Sequence, residues 1–255
     1  MMGSFPRASF ARLAALEDRN YWFCSRNRLI VWALRRHFPH MRRYLEIGCG
    51  TGCVLSAVEN AFPEAAALGG EMHGAGLEHA ARRVRRAKLV QMDATRIPFH
   101  GEFDVVGCFD VLEHVREDGE VLTEVRAALR DDGGVIITVP QHRFLWSAAD
   151  DYAGHVRRYR RGEILARLAA AGFRPLLVTS FVSLLLPVMW AARTRYRRLD
   201  ERYDPQAELD VGRAANALLQ AVLDLERALI ALGARFPFGG SLLVVAQKTH
   251  VDSVQ

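Results

Sequence analysis

The stretch Tyr44-Leu45-Glu46-Ile47-Gly48-Cys49-Gly50-Thr51-Gly52 decides the reading of this chain, because a short apolar run passes directly into glycines at every second position. Glycine has no Cβ, so it takes positive φ freely and lets a ligand approach the main chain. Glycines repeated at a strand end therefore point to a group bound against the backbone. A dinucleotide loop spaces its glycines G-x-G-x-x-G, so that a pyrophosphate rests on the N-terminus of a closely packed helix. Here the spacing is one residue tighter, and Glu46 stands two positions before the first glycine. A carboxylate there repels a pyrophosphate and attracts a cationic or amino-bearing ligand.

Outward from this loop, strands alternate with helices, the pattern of a parallel α/β sheet. The spacing predicts a helical region over about residues 10–37 and strands at 43–47, 66–71, 88–92, 103–109, 134–139, 174–179 and 242–248. Helices are expected at about 52–61, 74–86, 118–129 and 162–171. The last two strands are separated by about sixty residues that read as helical, long for a connection. The organisation expected is an N-terminal helical cap (1–40), a core (41–180 with 241–250) and a helical insertion (181–240). Within the insertion, Leu218, Leu219, Val222, Leu225, Leu229 and Leu232 recur at helical spacing between Leu209 and Leu232. They read as a companion helix or a homodimer contact.

Open parallel sheets bind ligands at the carboxyl ends of their strands. Glu71 ends the second strand, where a carboxylate can accept both hydroxyls of a ribose; the alternative is a solvated loop acid. Asp93 follows the third strand, where it can accept from an adenine amino group while the Ala94 amide donates to the ring. The alternative for Asp93 is an Asx turn or a helix cap. The fourth strand ends in Gly107-Cys108-Phe109-Asp110-Val111-Leu112-Glu113-His114.

With those four elements in view, the chain resembles the class I S-adenosylmethionine-dependent methyltransferases. Their first motif is E/D-x-G-x-G-x-G, and small-molecule members similar to the quinone-biosynthesis group carry D-x-L-E-H after the fourth strand. The ordered motifs cover about residues 44–139. The resemblance implies a Rossmann-like seven-stranded, mostly parallel sheet with helices on both faces, an antiparallel last strand and helical cap elements. It implies S-adenosyl-L-methionine as cofactor and S-adenosyl-L-homocysteine as product. By the same resemblance, Glu46, Gly48, Cys49, Gly50, Thr51 and Gly52 line the methionine part, and Glu71 holds the ribose with Met72 near the adenine. Asp93 and Ala94 read the adenine, and Phe109, Asp110 and His114 flank the sulfonium. One departure is that Gly69-Gly70 precede Glu71 where the family usually has a branched apolar residue.

Methyl transfer from a sulfonium needs a general base only when the acceptor is a hydroxyl or an acidic carbon. His114 and His155 are the candidate catalytic residues; for His114 the alternative is a structural role at a helix start. His155 lies in a loop from Trp146 to Tyr159 that follows the fifth strand and is dense in functional groups. Trp146, His155, Arg157 and Tyr159 are the candidate acceptor-binding residues, against the alternative of a loop pinned by Asp–Arg pairs.

Half of the 255 residues are hydrophobic, enough for one sizeable core. The net charge of +5 is carried by arginine, with Lys88 and Lys248 the only lysines, and is weak evidence for an anionic partner. Cys24, Cys49, Cys53 and Cys108 form no C-x-x-C pair, so neither a disulfide framework nor a metal site is expected. The N-terminus has no continuous apolar segment of the secretory kind, and a cytoplasmic setting is the expectation. Residues 175–192 carry no charge and are followed by Arg193, Arg195, Arg197 and Arg198. Pro175 and Pro187 interrupt the run, which is too short to span a membrane. Over 181–198 it reads as a membrane-surface contact or a lipophilic lid, against a plain cap helix with a solvated arginine face. The acceptor expected is a small, lipophilic molecule. An RNA or protein acceptor and a non-catalytic cofactor-binding module are the alternatives; no N-P-P-Y signature for a nucleobase acceptor follows the fourth strand.

Overall fold

A computed structural model describes residues 7–195 and 211–249. Its strands are β1 (Arg43–Ile47), β2 (Ala66–Glu71), β3 (Lys88–Gln91), β4 (Phe103–Phe109), β5 (Leu129–Pro140), β6 (Phe173–Phe181) and β7 (Ser241–Lys248). They form one sheet in the order β3-β2-β1-β4-β5-β7-β6, in which only β7 runs antiparallel to its neighbours. This is the expected Rossmann-like sheet. Its central strands are apolar without alternation because helices cover both faces.

The helices α1 (Arg7–Leu16) and α2 (Tyr21–His37) precede β1, α3 (Cys53–Ala61) follows it, and α4 (Gly74–Arg83) follows β2. Helices α5 (Asp118–Ala128), α6 (Ala148–Ala153) and α7 (Arg161–Ala170) lie between β4 and β6, and α8 (Leu186–Arg195) and α9 (Arg213–Ala231) lie between β6 and β7. One core packs the sheet against α5 and α7, through residues such as Leu122, Val125, Ile164 and Leu168. The other packs it against α2, α3 and α9, through Ile30, Leu34, Leu55, Val58, Leu223 and Ile230. Strand order reverses between β1 and β4, whose carboxyl ends stand side by side with Ile47 opposite Cys108. That reversal opens a crevice above the sheet.

Several local differences from expectation have clear causes. The helical region over 10–37 is two helices, because Asn20 is extended and its side chain accepts the Trp22 N–H at 2.9 Å, capping α2. Helix α4 stops at Arg83 rather than Arg86. The buried Glu59 carboxylate takes the N–H groups of Arg85, Arg86 and Ala87 at 2.9–3.0 Å, a better partner set than another helical turn. The Gly69-Gly70 departure is steric: a Cβ on Gly69 would lie 2.5 Å from Leu55 Cδ2, and one on Gly70 would lie 2.2 Å from Met92 Cε. Side chains from α3 and from beyond β3 fill the space that branched residues would take.

Helix α9 is a companion helix, as one reading had it. It is joined to α2 by Arg28–Asp224 (2.6 Å) and by the Tyr21 N–H donated to Asn216 Oδ1 (2.8 Å). The residues it buries are Leu223, Glu226 and Ile230, whereas Leu218, Leu225 and Leu232 are 67%, 56% and 86% exposed. Leu218 and Leu223 are about 140° apart on a helix, so apolar spacing alone did not say which row faces inward. Among the described residues no helix is long and apolar enough to cross a membrane. Arg197, Arg198 and Leu209 lie outside the described residues, as do 1–6, 196–210 and 250 of the expected cap, insertion and core.

Candidate active site

The loop after β1 turns in left-handed backbone at each glycine, with φ of 65° at Gly48, 53° at Gly50 and 77° at Gly52. At Gly48 even an alanine is excluded by Val111 Cγ2, 2.5 Å from the position a Cβ would take. Glu71 at the end of β2 pins the loop: Oε2 accepts the Gly50 N–H and Oε1 the His73 N–H, each at 2.9 Å. Glu46 is buried beneath the loop and accepts the Tyr44 hydroxyl at 3.0 Å. Burial pushes its carboxyl up to about 8, against the lowering effect of that hydrogen bond and of Arg26. Burial likewise pushes the Cys49 thiol far up, which leaves it unreactive.

These groups line a cavity of about 510 Å³ at the sheet's switch point, within the range of small-ligand sites. Glu46, Gly48, Cys49, Gly50, Thr51, Glu71, Met72, Asp93, Ala94, Phe109, Asp110, His114 and His155 all stand on its wall. Gly52 does not; it is the turn that lets α3 begin, packed against Ala80 of α4. Asp93 adopts the Asx turn named as its alternative, Oδ1 accepting both the N–H and the hydroxyl of Thr95 at 2.9 Å, and still borders the cavity.

The roof was not legible as such. Phe10, Leu13 and Glu17 from the region of α1, and Trp22, Phe23 and Arg26 from α2, close the cavity from above. Glu17 accepts the Thr51 hydroxyl and pairs with Arg83, clamping α1 onto the glycine loop. Arg26 pairs with Asp110 while its guanidinium lies 4.6 Å from the Trp22 ring centroid. Asp110 itself has φ of 55°. The aromatic pair Trp22-Phe23 was the one available signal for this roof; Glu17 and Arg26 had none.

At the far end of the cavity a single 3₁₀ turn, Leu112–His114, brings His114 against His155, ring centroids 4.7 Å apart. Burial, and then the nearby His155, lower the His114 imidazole to about 3, so it is neutral near pH 7. His155 Nδ1 lies 2.8 Å from Asp150 Oδ1. Asp150, another site residue missed, also accepts from Arg158 Nε (2.7 Å), Arg193 Nη1 (2.9 Å) and the Ser147 N–H (2.9 Å). Burial alone would raise its carboxyl, but the His155 hydrogen bond and the two guanidiniums hold it well below the usual carboxylate range. An ionised Asp150 only accepts, so His155 donates to it from Nδ1 and leaves Nε2 for other partners. That Nε2 lies 3.9 Å from Oε1 of Glu113, a fully buried carboxyl that burial, and then Asp110, push well up.

Trp146, Arg157 and Tyr159 are not on the cavity wall, and their expected acceptor-binding role is corrected. Trp146 Nε1 donates to Asp151 Oδ1 at 2.9 Å. Arg157 pairs with Asp118 and donates to the Arg116 carbonyl at 2.8 Å, and the buried Tyr159 hydroxyl donates to Asp118 Oδ2 at 2.6 Å. Asp118 is buried and needs these partners, so the loop is pinned by Asp–Arg pairs, and His155 alone of the four reaches the cavity.

A glycine loop with an acid before it, acids after β2 and β3, and a crevice at the β1/β4 switch point define a class I S-adenosylmethionine-dependent methyltransferase. Residues 7–178 match the methyltransferase domain family, and the chain belongs to that family. Among its relatives is a probable S-adenosylmethionine-dependent methyltransferase of Mycolicibacterium smegmatis, 25% identical over 67% of this chain and 66% of that one. Another is a malonyl-[acyl-carrier protein] O-methyltransferase of Legionella pneumophila, 30% identical over 46% of this chain. The chain spans 45% of the length of that relative. The crystal structure of the [4+2]-cyclase SpnF has the same fold, with a TM-score of 0.58 and 20% identity, over 88% of this chain and 80% of that one.

Proposed function

We propose that this chain transfers a methyl group from S-adenosylmethionine to a small, lipophilic acceptor. The observation that carries this reading is the 510 Å³ cavity, which joins the glycine loop and the strand-end acids to the His114–His155 pair under one roof. The residues fit the cofactor. Positive-φ glycines leave the backbone bare, the Glu46 carboxyl suits an ammonium, the Glu71 carboxylate suits a ribose, and Met72, Met92 and Ala94 offer an apolar seat for a purine.

When bound, the cofactor supplies a methyl group on a sulfonium, open to in-line displacement. The chain's own contribution is position and exclusion of water: the α1–α2 roof closes the crevice, and Phe109, Asp110 and His114 border the acceptor end. His155, held in one tautomer by Asp150, orients the acceptor. A His155→Ala variant is expected to bind S-adenosylhomocysteine as the parent does and to lose at least about a hundredfold in turnover. Unchanged turnover would overturn the role.

The malonyl-[acyl-carrier protein] named for the Legionella relative supports an acyl-type acceptor over RNA. For location, we propose contact with a membrane surface through α8 and its surroundings. Leu184, Val188 and Trp190 are exposed there, as are Phe144 and Phe238. The chain is expected to co-sediment with anionic vesicles and a Val188→Glu, Trp190→Glu double variant to stay in solution; equal sedimentation of the two would contradict this.

A further inference from the structure

Glu113, His114 and His155 each present one ligand atom within 4.8 Å of the others, at the acceptor end of the cavity. Both Glu113 oxygens are buried without a hydrogen-bond partner, and Oε1 faces His155 Nε2 at 3.9 Å. Two polar atoms face each other there in a dry site, and a cation between them would partner both. His155 already has the arrangement of a metal-bound imidazole, its other ring nitrogen donating to a carboxylate, Asp150 Oδ1, at 2.8 Å. Arg158 and Arg193 hold that carboxylate in place. His114 is held in turn by the backbone carbonyls of Ala153 and Gly154.

We propose that Glu113, His114 and His155 bind one divalent transition-metal ion. Two imidazoles and one carboxylate are a borderline donor set that suits zinc, manganese, cobalt or ferrous iron better than calcium or magnesium. Three protein ligands leave further positions, and His114 and His155 stand on the cavity wall where an acceptor oxygen can reach them. The site deepens, and in this part rests on, the methyl-transfer reading, and it narrows the acceptor to one bearing a hydroxyl. A bound cation would lower the pKa of that hydroxyl, whose proton would pass to water. An oxygen lone pair then forms the O–CH₃ bond as the C–S bond breaks, and the C–S electron pair neutralises the sulfonium.

The test is a titration of cobalt(II) into the chelator-treated full chain, followed by its visible ligand-field absorption, beside a titration of S-adenosylhomocysteine. The expected result is one cobalt per chain, displaced by zinc, with affinity reduced at least about tenfold in each of Glu113→Gln and Asp150→Asn while S-adenosylhomocysteine still binds. Retained S-adenosylhomocysteine binding shows the variants folded. No saturable cobalt binding, or equal binding by parent and Glu113→Gln, overturns the metal site and leaves the methyl-transfer reading standing. Failure of the parent to bind S-adenosylhomocysteine would instead count against the methyl-transfer reading.

Discussion

Glu46 is the residue at which burial and ligand chemistry meet. Its carboxyl is raised to about 8 because burial outweighs the lowering effect of the Tyr44 hydroxyl and of Arg26. A group whose folded-state value lies above its unfolded one binds protons more tightly when folded, so its contribution to stability is full below about pH 4.5 and is lost as pH rises through about 8. An ammonium arriving beside it favours the carboxylate. Binding of S-adenosylhomocysteine at about pH 7 is therefore expected to release a proton, seen as a calorimetric enthalpy that depends on the ionisation enthalpy of the buffer. Glu46→Gln should abolish that dependence; a buffer dependence surviving in the variant would contradict the assignment. The position of Glu46 was legible in the sequence because the glycines frame it. Its protonation was not, since that depends on how deeply Tyr44 and its neighbours bury it.

At the scale of elements, the glycine loop and the roof are one unit. Glu17 joins α1 to Thr51 and to Arg83 of α4, and Phe10 and Leu13 then cover the cavity. Replacing Arg83 by Met leaves a nearly buried carboxylate without its cation, expected to cost about 3 kcal/mol of stability. The same change should speed hydrogen exchange over 7–17 and weaken S-adenosylhomocysteine binding several-fold; unaltered exchange there would show that α1 is held by other contacts. Strand-to-loop chemistry was readable, as glycines and acids at strand ends have few alternative uses. The roof was not, because its residues are brought together from α1, α2 and α4 by tertiary packing. Arg157 and Tyr159 misled for the converse reason: a buried acid, Asp118, claims them, and no spacing in the chain announces that it is buried.

For the molecule as a whole, the sheet order sets the function's address. Strands β1 and β4 diverge from the switch point, and every residue expected to contact the cofactor except Gly52 stands on the wall of the cavity above it. The described residues of the insertion between β6 and β7 add α8 and α9 around this core without entering the cavity wall. Arginine-rich charge gives no comparable address, and the acceptor end is defined instead by neutral His114 and the Asp150-bound His155. The central claim is that this cavity is an S-adenosylmethionine site rather than a dinucleotide site. Calorimetric titration of S-adenosylhomocysteine tests it most directly, with NADH as the competing ligand. One equivalent of S-adenosylhomocysteine is expected to bind per chain, at least about tenfold more weakly to Glu71→Ala, with no heat from NADH. Saturable NADH binding, or no S-adenosylhomocysteine binding by the parent, would contradict it.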